Sequence, residues 1–242
     1  MNRLDRCIKL DFGMVQNEIG IMCVAAGGGI ILSGLSLVLL LAVPVLLIVQ
    51  IVFMIKMYKK LFYTSLYGET AAFYQSLPIT TEEMTAGRIF TAGTGLLMAN
   101  IVSIICLIIV VNTSGIASDL LEIYIDIAGK AGQNVFSGRL LPATFLASTV
   151  SMYRQSAFIL MAVVIYNSLP QRRRTDWTKV FAFVIGGAIH FAISSLGGLM
   201  EFLGAEPSAL WVPAICAVFD MVLTVLFYRI TVSRLKERYA LS

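Results

Sequence analysis

From Ile19 to Met57 the sequence is apolar for roughly forty residues, interrupted by a few uncharged polar side chains and by Lys56. A bilayer crossing takes about 20 residues, so the run is long enough for two helices joined by a tight turn. The turn is expected near Ser33-Gly34, giving spans of about 19–34 and 36–57. Gly27, Gly28 and Gly29 in the first span permit either close helix contact or a local break. Further apolar runs cover about 88–111, 142–169, 180–199 and 210–228. Composition agrees with this reading: 58% of residues are hydrophobic, only 13% are charged, and the mean hydropathy is +0.87. Soluble domains carry about twice that charged fraction. The expectation is an all-α integral membrane protein with six transmembrane helices.

The charges assign the sides. All basic residues except Lys130, Arg139 and Arg154 fall on one side of such a topology, which by the positive-inside rule is the cytoplasm. Both termini are then cytoplasmic, in the cell membrane. The net charge of +4 reflects this sidedness and not nucleic-acid binding. Residues 1–18 mix both charge signs and end in no cleavage site. Leu4, Ile8, Phe12, Val15 and Ile19 recur at helical spacing, as in an amphipathic helix lying in the cytoplasmic interface; a solvated leader is the alternative. Residues 112–140 include Ile116, Leu120, Ile123 and Ile127 on one helical face, which suits a short helix on the outer bilayer surface or a plain extracellular loop.

One polar break is itself patterned to fold, Tyr67 to Phe90, with the sequence YGETAAFYQSLPITTEEMTAGRIF. Leu77-Pro78 should stop a preceding short helix, since proline disfavours the α conformation in the residue before it. Thr80 and Glu83 have capping-box spacing, and Ile79 and Met84 can close a hydrophobic staple. A helix starting at Thr81 can run straight into the third span. Such a bent, capped element suits force transmission, although an ordinary well-formed loop has the same local signals.

Catalytic signals are weak. No G-x-x-x-x-G-K-[ST] occurs, so the chain has no P-loop for ATP. Glu82, Glu83 and Arg88 distantly resemble the glutamate pair of intramembrane prenyl-protein endopeptidases, but that chemistry needs several histidines and His190 stands alone. Ser194 and Ser195 follow His190 too closely on one helix to serve as its nucleophile. Cys7, Cys23, Cys106 and Cys216 form no C-x-x-C pair, and no zinc set can be assembled. No catalytic, metal or cofactor site is expected in this chain. Arg154 and Asp220 fall within the fourth and sixth spans at similar depth, which makes them a candidate ion pair; Arg154 snorkelling outward is the other reading. His190 reads as a hydrogen-bonded interior residue or as part of a pathway. A secondary transporter or channel would use Arg154, Asp220 and His190 as a relay.

The order of elements resembles the membrane subunit of type 2 ATP-binding-cassette exporters, in particular the small six-span permeases of Gram-positive bacteria. The resemblance covers the interfacial first helix, the closely linked first two spans, and above all the segment from Ile55 to Arg88. Tyr58-Lys59-Lys60, Gly68-Glu69 and Leu77-Pro78-Ile79 stand there as in those permeases. It implies a cytoplasmic coupling helix over Gly68–Pro78, with Gly68, Glu69, Phe73, Tyr74 and Pro78 meeting a separate ATPase subunit that holds ATP and magnesium. It also implies a second permease chain, identical or different, completing the pathway. Exporters of phenol-soluble modulins and lantibiotics include such permeases, so an amphipathic peptide or lipid-like cargo is implied.

Overall fold

The structure is a computed structural model and describes residues 3–35, 42–113, 141–169 and 211–240. The described residues form helices and short turns: α1 Arg3–Leu35, α2 Ala42–Tyr58, a π-helical turn Lys59–Thr64, α3 Ser65–Tyr67, α4 Ala71–Ser76, α5 Thr81–Thr113, α6 Leu141–Ser168 and α7 Trp211–Ala240. Four of these hold stretches long and apolar enough to cross a membrane: Arg3–Leu32, Thr81–Val110, Phe145–Ser168 and Pro213–Glu237. The described residues are therefore all-helical and of membrane-protein character. The 17 residues of α2 stand at the short end of spanning length. The expected span 180–199, with His190, and the surface helix around Ile116–Ile127 lie outside the described residues.

Local chemistry explains where several helices begin. Pro44, Pro142 and Pro213 each fall in the first turn of a helix, where the missing N–H has no intrahelical acceptor to lose. Thr80 and Glu83 close the capping box on α5: Thr80 N donates to Glu83 Oε2 at 2.9 Å, and Glu83 N donates to Thr80 Oγ1 at 3.2 Å. This cap lets α5 start seven residues before the apolar run that begins at about Arg88, so the polar junction and the apolar stretch form one rod.

The expected turn at Ser33-Gly34 is displaced. Both residues are helical, α1 continues to Leu35, and α2 begins at Ala42. The apolar run contains no residue that obliges a break there, and of the three glycines only Gly27 serves a close contact, since a Cβ on Gly28 would meet nothing within 4 Å. A Cβ on Gly27 would lie 2.9 Å from Cys106 Sγ and 3.0 Å from Val102 Cγ1, so α1 and α5 approach closely at this point. The expected boundary between an interfacial helix 1–18 and a first span is likewise absent from the backbone, because α1 passes through Glu18 and Ile19 without interruption.

Packing follows the order α2, α1, α5, α6, α7, with the most extensive contacts between α1 and α5 and between α6 and α7. The core is built from Val15, Ile19 and Met22 of α1, Met57 of α2, Leu61 and Phe62 of the π-helical turn, Ala92 of α5, and Leu160 and Val164 of α6. The outward faces of α2, α5 and α7 carry large exposed apolar side chains, among them Ile48, Ile51, Ile105, Ile108, Val222 and Val225. Outside a bilayer such a surface would not be stable in water.

Candidate coupling site and intramembrane ion pair

α4 is only one and a half turns long, and its ends are fixed by backbone geometry. Gly68 leaves the preceding helix in an extended conformation, φ −100° and ψ −159°. A Cβ there would sit 2.9 Å from both Thr64 Cα and Thr64 O, so the chain can double back this tightly only at glycine. Gly68 N and Thr70 Oγ1 both donate to Thr64 O, at 3.0 and 3.1 Å. At the other end Leu77 turns extended, φ −73° and ψ 140°, ahead of Pro78 as the sequence predicts. Of the expected coupling segment Gly68–Pro78, residues Ala71–Ser76 are helical and the flanks are turns.

The two faces of α4 differ sharply. Phe73 is 53% exposed, whereas Tyr74 is buried, and their rings meet edge to face at 5.7 Å. Glu69 and Pro78 are exposed as well. Tyr74 Oη donates to Asp11 Oδ1 of α1 at 3.0 Å, and the Arg88 guanidinium of α5 lies over the Tyr74 ring, 5.0 Å from its centroid. Arg88 Nη2 also donates to Ser65 O at 3.4 Å, and Cys7 Sγ donates to Asp11 Oδ2 at 3.8 Å. Asp11 and Arg88 are both fully buried. Burial pushes the Tyr74 phenol above its usual range, and the Asp11 carboxylate adds to the shift, so the phenol stays protonated and keeps donating. A second clamp lies nearby: Lys60 Nζ meets Glu18 Oε1 at 2.7 Å and donates to Met14 O at 3.4 Å.

These contacts revise the reading of the first helix. Its buried seam runs through Cys7, Asp11, Val15, Glu18 and Met22, while Leu4, Ile8 and Phe12 are only partly covered. Asp11, Glu18 and Arg88 were not singled out as site residues by the sequence, because charges on an amphipathic helix are ordinarily solvated. A signal was present nonetheless. Asp11 shares one helical stripe with Cys7 before it and with Val15 and Glu18 after it, at spacings of four, four and three residues.

The second cluster joins α6 and α7 within their apolar stretches. Arg154 Nε lies 3.1 Å from Asp220 Oδ1, with side chains 4% and 11% exposed. The approach is a close ion contact outside hydrogen-bond alignment at Nε. Arg154 Nη2 donates to Ser151 Oγ at 3.0 Å, one turn earlier on the same helix. Phe158 and Phe227 stack edge to face at 5.4 Å and close the helix pair on one side of the bridge. A buried pair of this kind is held mainly by the cost of separating it in a low-dielectric setting.

The chain matches no family model, no curated protein and no solved structure. Chemistry is therefore argued from the two clusters themselves. Among the described residues no group of three His, Cys, Asp or Glu side chains is placed to hold a metal. The cluster around Tyr74 holds a short helix against two long ones, and the ion pair joins two others.

Proposed function

We propose that the chain is the permease subunit of an ATP-binding-cassette exporter, embedded in the cell membrane with both termini in the cytoplasm. The observation that carries this reading is the two-faced α4. Its buried Tyr74 is tied to Asp11 of α1 and Arg88 of α5, while Phe73 and, in the turn just before the helix, Glu69 are exposed. A push on the exposed face would be transmitted through buried polar contacts into two long helices at once. A loop that merely joined two spans would have no need of a buried carboxylate and guanidinium, whose burial costs several kcal/mol unless they are well partnered.

In this reading a separate ATPase subunit, carrying ATP and magnesium, docks on Glu69, Phe73 and the adjoining Gly68 and Pro78. Two permease chains enclose the pathway, in a six-span arrangement of each. The apolar outer faces and the scarcity of intramembrane charge suit an amphipathic peptide or lipid-like cargo moved outward. The test is co-expression with a nucleotide-binding subunit. The purified chain alone should hydrolyse no ATP, and the pair should co-purify and hydrolyse it. Robust hydrolysis by the chain alone, or failure of any such subunit to associate, rejects the reading.

The buried Arg154–Asp220 pair favours one other reading, a secondary transporter or channel in which these residues and His190 form a relay. It predicts transport driven by an ion gradient in proteoliposomes without nucleotide.

A further inference from the structure

The polar end of α7 carries Arg229, Ser233 and Lys236, spaced four and three residues apart and so on one helical face. Together with Tyr228 and Val232 of the same helix and Glu82 from the first turn of α5, they line an open cavity of about 530 Å³. Lys236 Nζ forms an ion pair with Glu82 across the two helices. Glu82 is thereby balanced, and the charges of these lining residues sum to one excess positive, that of exposed Arg229. The cavity belongs to neither cluster described above.

Its depth is what gives it meaning. The large exposed apolar side chains of α7, which include Val218, Val222 and Val225, end at Leu226, and those of α5 begin at Phe90. At about 1.5 Å per residue, Arg229 stands about 4.5 Å beyond the apolar edge of α7. The polar zone of a bilayer occupies about 5–7 Å on each side of the hydrocarbon. The Arg229 guanidinium is therefore at the level where lipid phosphates lie, while Ser233 and Lys236, about 10.5 and about 15 Å beyond the same edge, line the cavity on its aqueous side. Arg234, Lys236 and Arg238 continue the basic run just beyond. Such runs beside a membrane helix attract anionic headgroups.

We propose that this cavity binds the phosphate-bearing headgroup of an anionic phospholipid from the leaflet on the basic side. Arg229 supplies a planar pair of donors suited to phosphate oxygens, Ser233 adds a hydroxyl, and Lys236 has donors to spare while still holding Glu82. A free phosphate offers the same oxygens. A lipid phosphate, however, is already held at this depth, so it loses less freedom on binding to a site with a single excess charge. The proposal depends on membrane embedding alone and not on the exporter reading.

The test uses the full chain in neutral detergent, with retained lipid counted by native mass spectrometry and stability followed by thermal melting. Phosphatidylglycerol should be retained and should raise the melting temperature, whereas phosphatidylcholine and inorganic phosphate should do neither. Arg229→Gln should lower phosphatidylglycerol retention about fivefold, as expected for one basic contact at a membrane surface. Arg234→Gln removes the same charge from a residue outside the cavity lining that is paired with Glu237 at 3.0 Å, and retention should stay at the wild-type level. Equal losses in the two variants would mean diffuse attraction and overturn the site. Wild-type retention in Arg229→Gln would also overturn it, as would equal stabilisation by inorganic phosphate or by phosphatidylcholine.

Discussion

Tyr74 Oη donates a 3.0 Å hydrogen bond to Asp11 Oδ1, joining residues 63 positions apart in a buried setting. It ties the short helix α4 to the first long helix, while Arg88 holds the same ring from α5. The consequence is that α4 cannot shift without disturbing both.

Tyr74→Phe keeps the ring under Arg88 and deletes the hydroxyl. It should destabilise the folded chain by about 1–3 kcal/mol, because the buried Asp11 carboxylate loses a donor. Asp11→Asn should also destabilise, and the double variant should fall short of the sum by about 0.5–3 kcal/mol. Thermal melts in detergent measure both. Strict additivity would show that the two residues do not act as a pair.

Phe73→Ala and Glu69→Ala address the exposed side of α4 and of the turn that precedes it. Phe73 is 53% exposed and Glu69 is exposed, so neither change should move the melting temperature appreciably. In the exporter reading both weaken association with the ATPase or uncouple hydrolysis from transport. Intact assembly and transport in both variants would remove the docking assignment while leaving the buried contacts untouched.

Arg154→Ala strands Asp220 in an apolar helix pair, and Asp220→Ala strands Arg154. Each should cost about 3–5 kcal/mol, and the double variant should cost less than either. Folded yield and melting temperature of the cycle, with the Arg154→Asp/Asp220→Arg swap, check this. The bridge is mechanically unimportant if the single losses simply add and the swap rescues nothing.

Gly93→Ala probes the α5–α6 contact. A Cβ at this position would collide with the Tyr153 ring, and that ring is held by its 3.1 Å hydrogen bond to Thr94 Oγ1. The variant should lose about 1–3 kcal/mol. Adding Tyr153→Ala should relieve the clash, so that Gly93→Ala becomes nearly neutral in that background.

Membrane character, helical class and the boundaries around Leu77–Glu83 were legible in the sequence, because each depends on neighbours in the chain. An apolar run excludes water whatever it later packs against. A proline disfavours helix in the residue before it, and a threonine three residues ahead of a glutamate can cap a helix unaided. The pairing of Arg154 with Asp220 was legible from depth only as a candidate, since two charges in an apolar layer gain by meeting but an arginine can also snorkel outward.

Only the tertiary structure decided which charges on α1 and α5 are buried. Asp11 and Glu18 have the spacing of a solvated face, and Arg88 counts equally well as one more cytoplasmic cation. Their burial follows from how α1 crosses α5 and from where Gly68 sends the chain back, placing Tyr74 and Lys60 within reach. Hydrophobic spacing reports the average direction of a helix face. A charge a fraction of a turn from that direction is solvated or buried according to the neighbour it meets, and no neighbour is specified until the helices have packed.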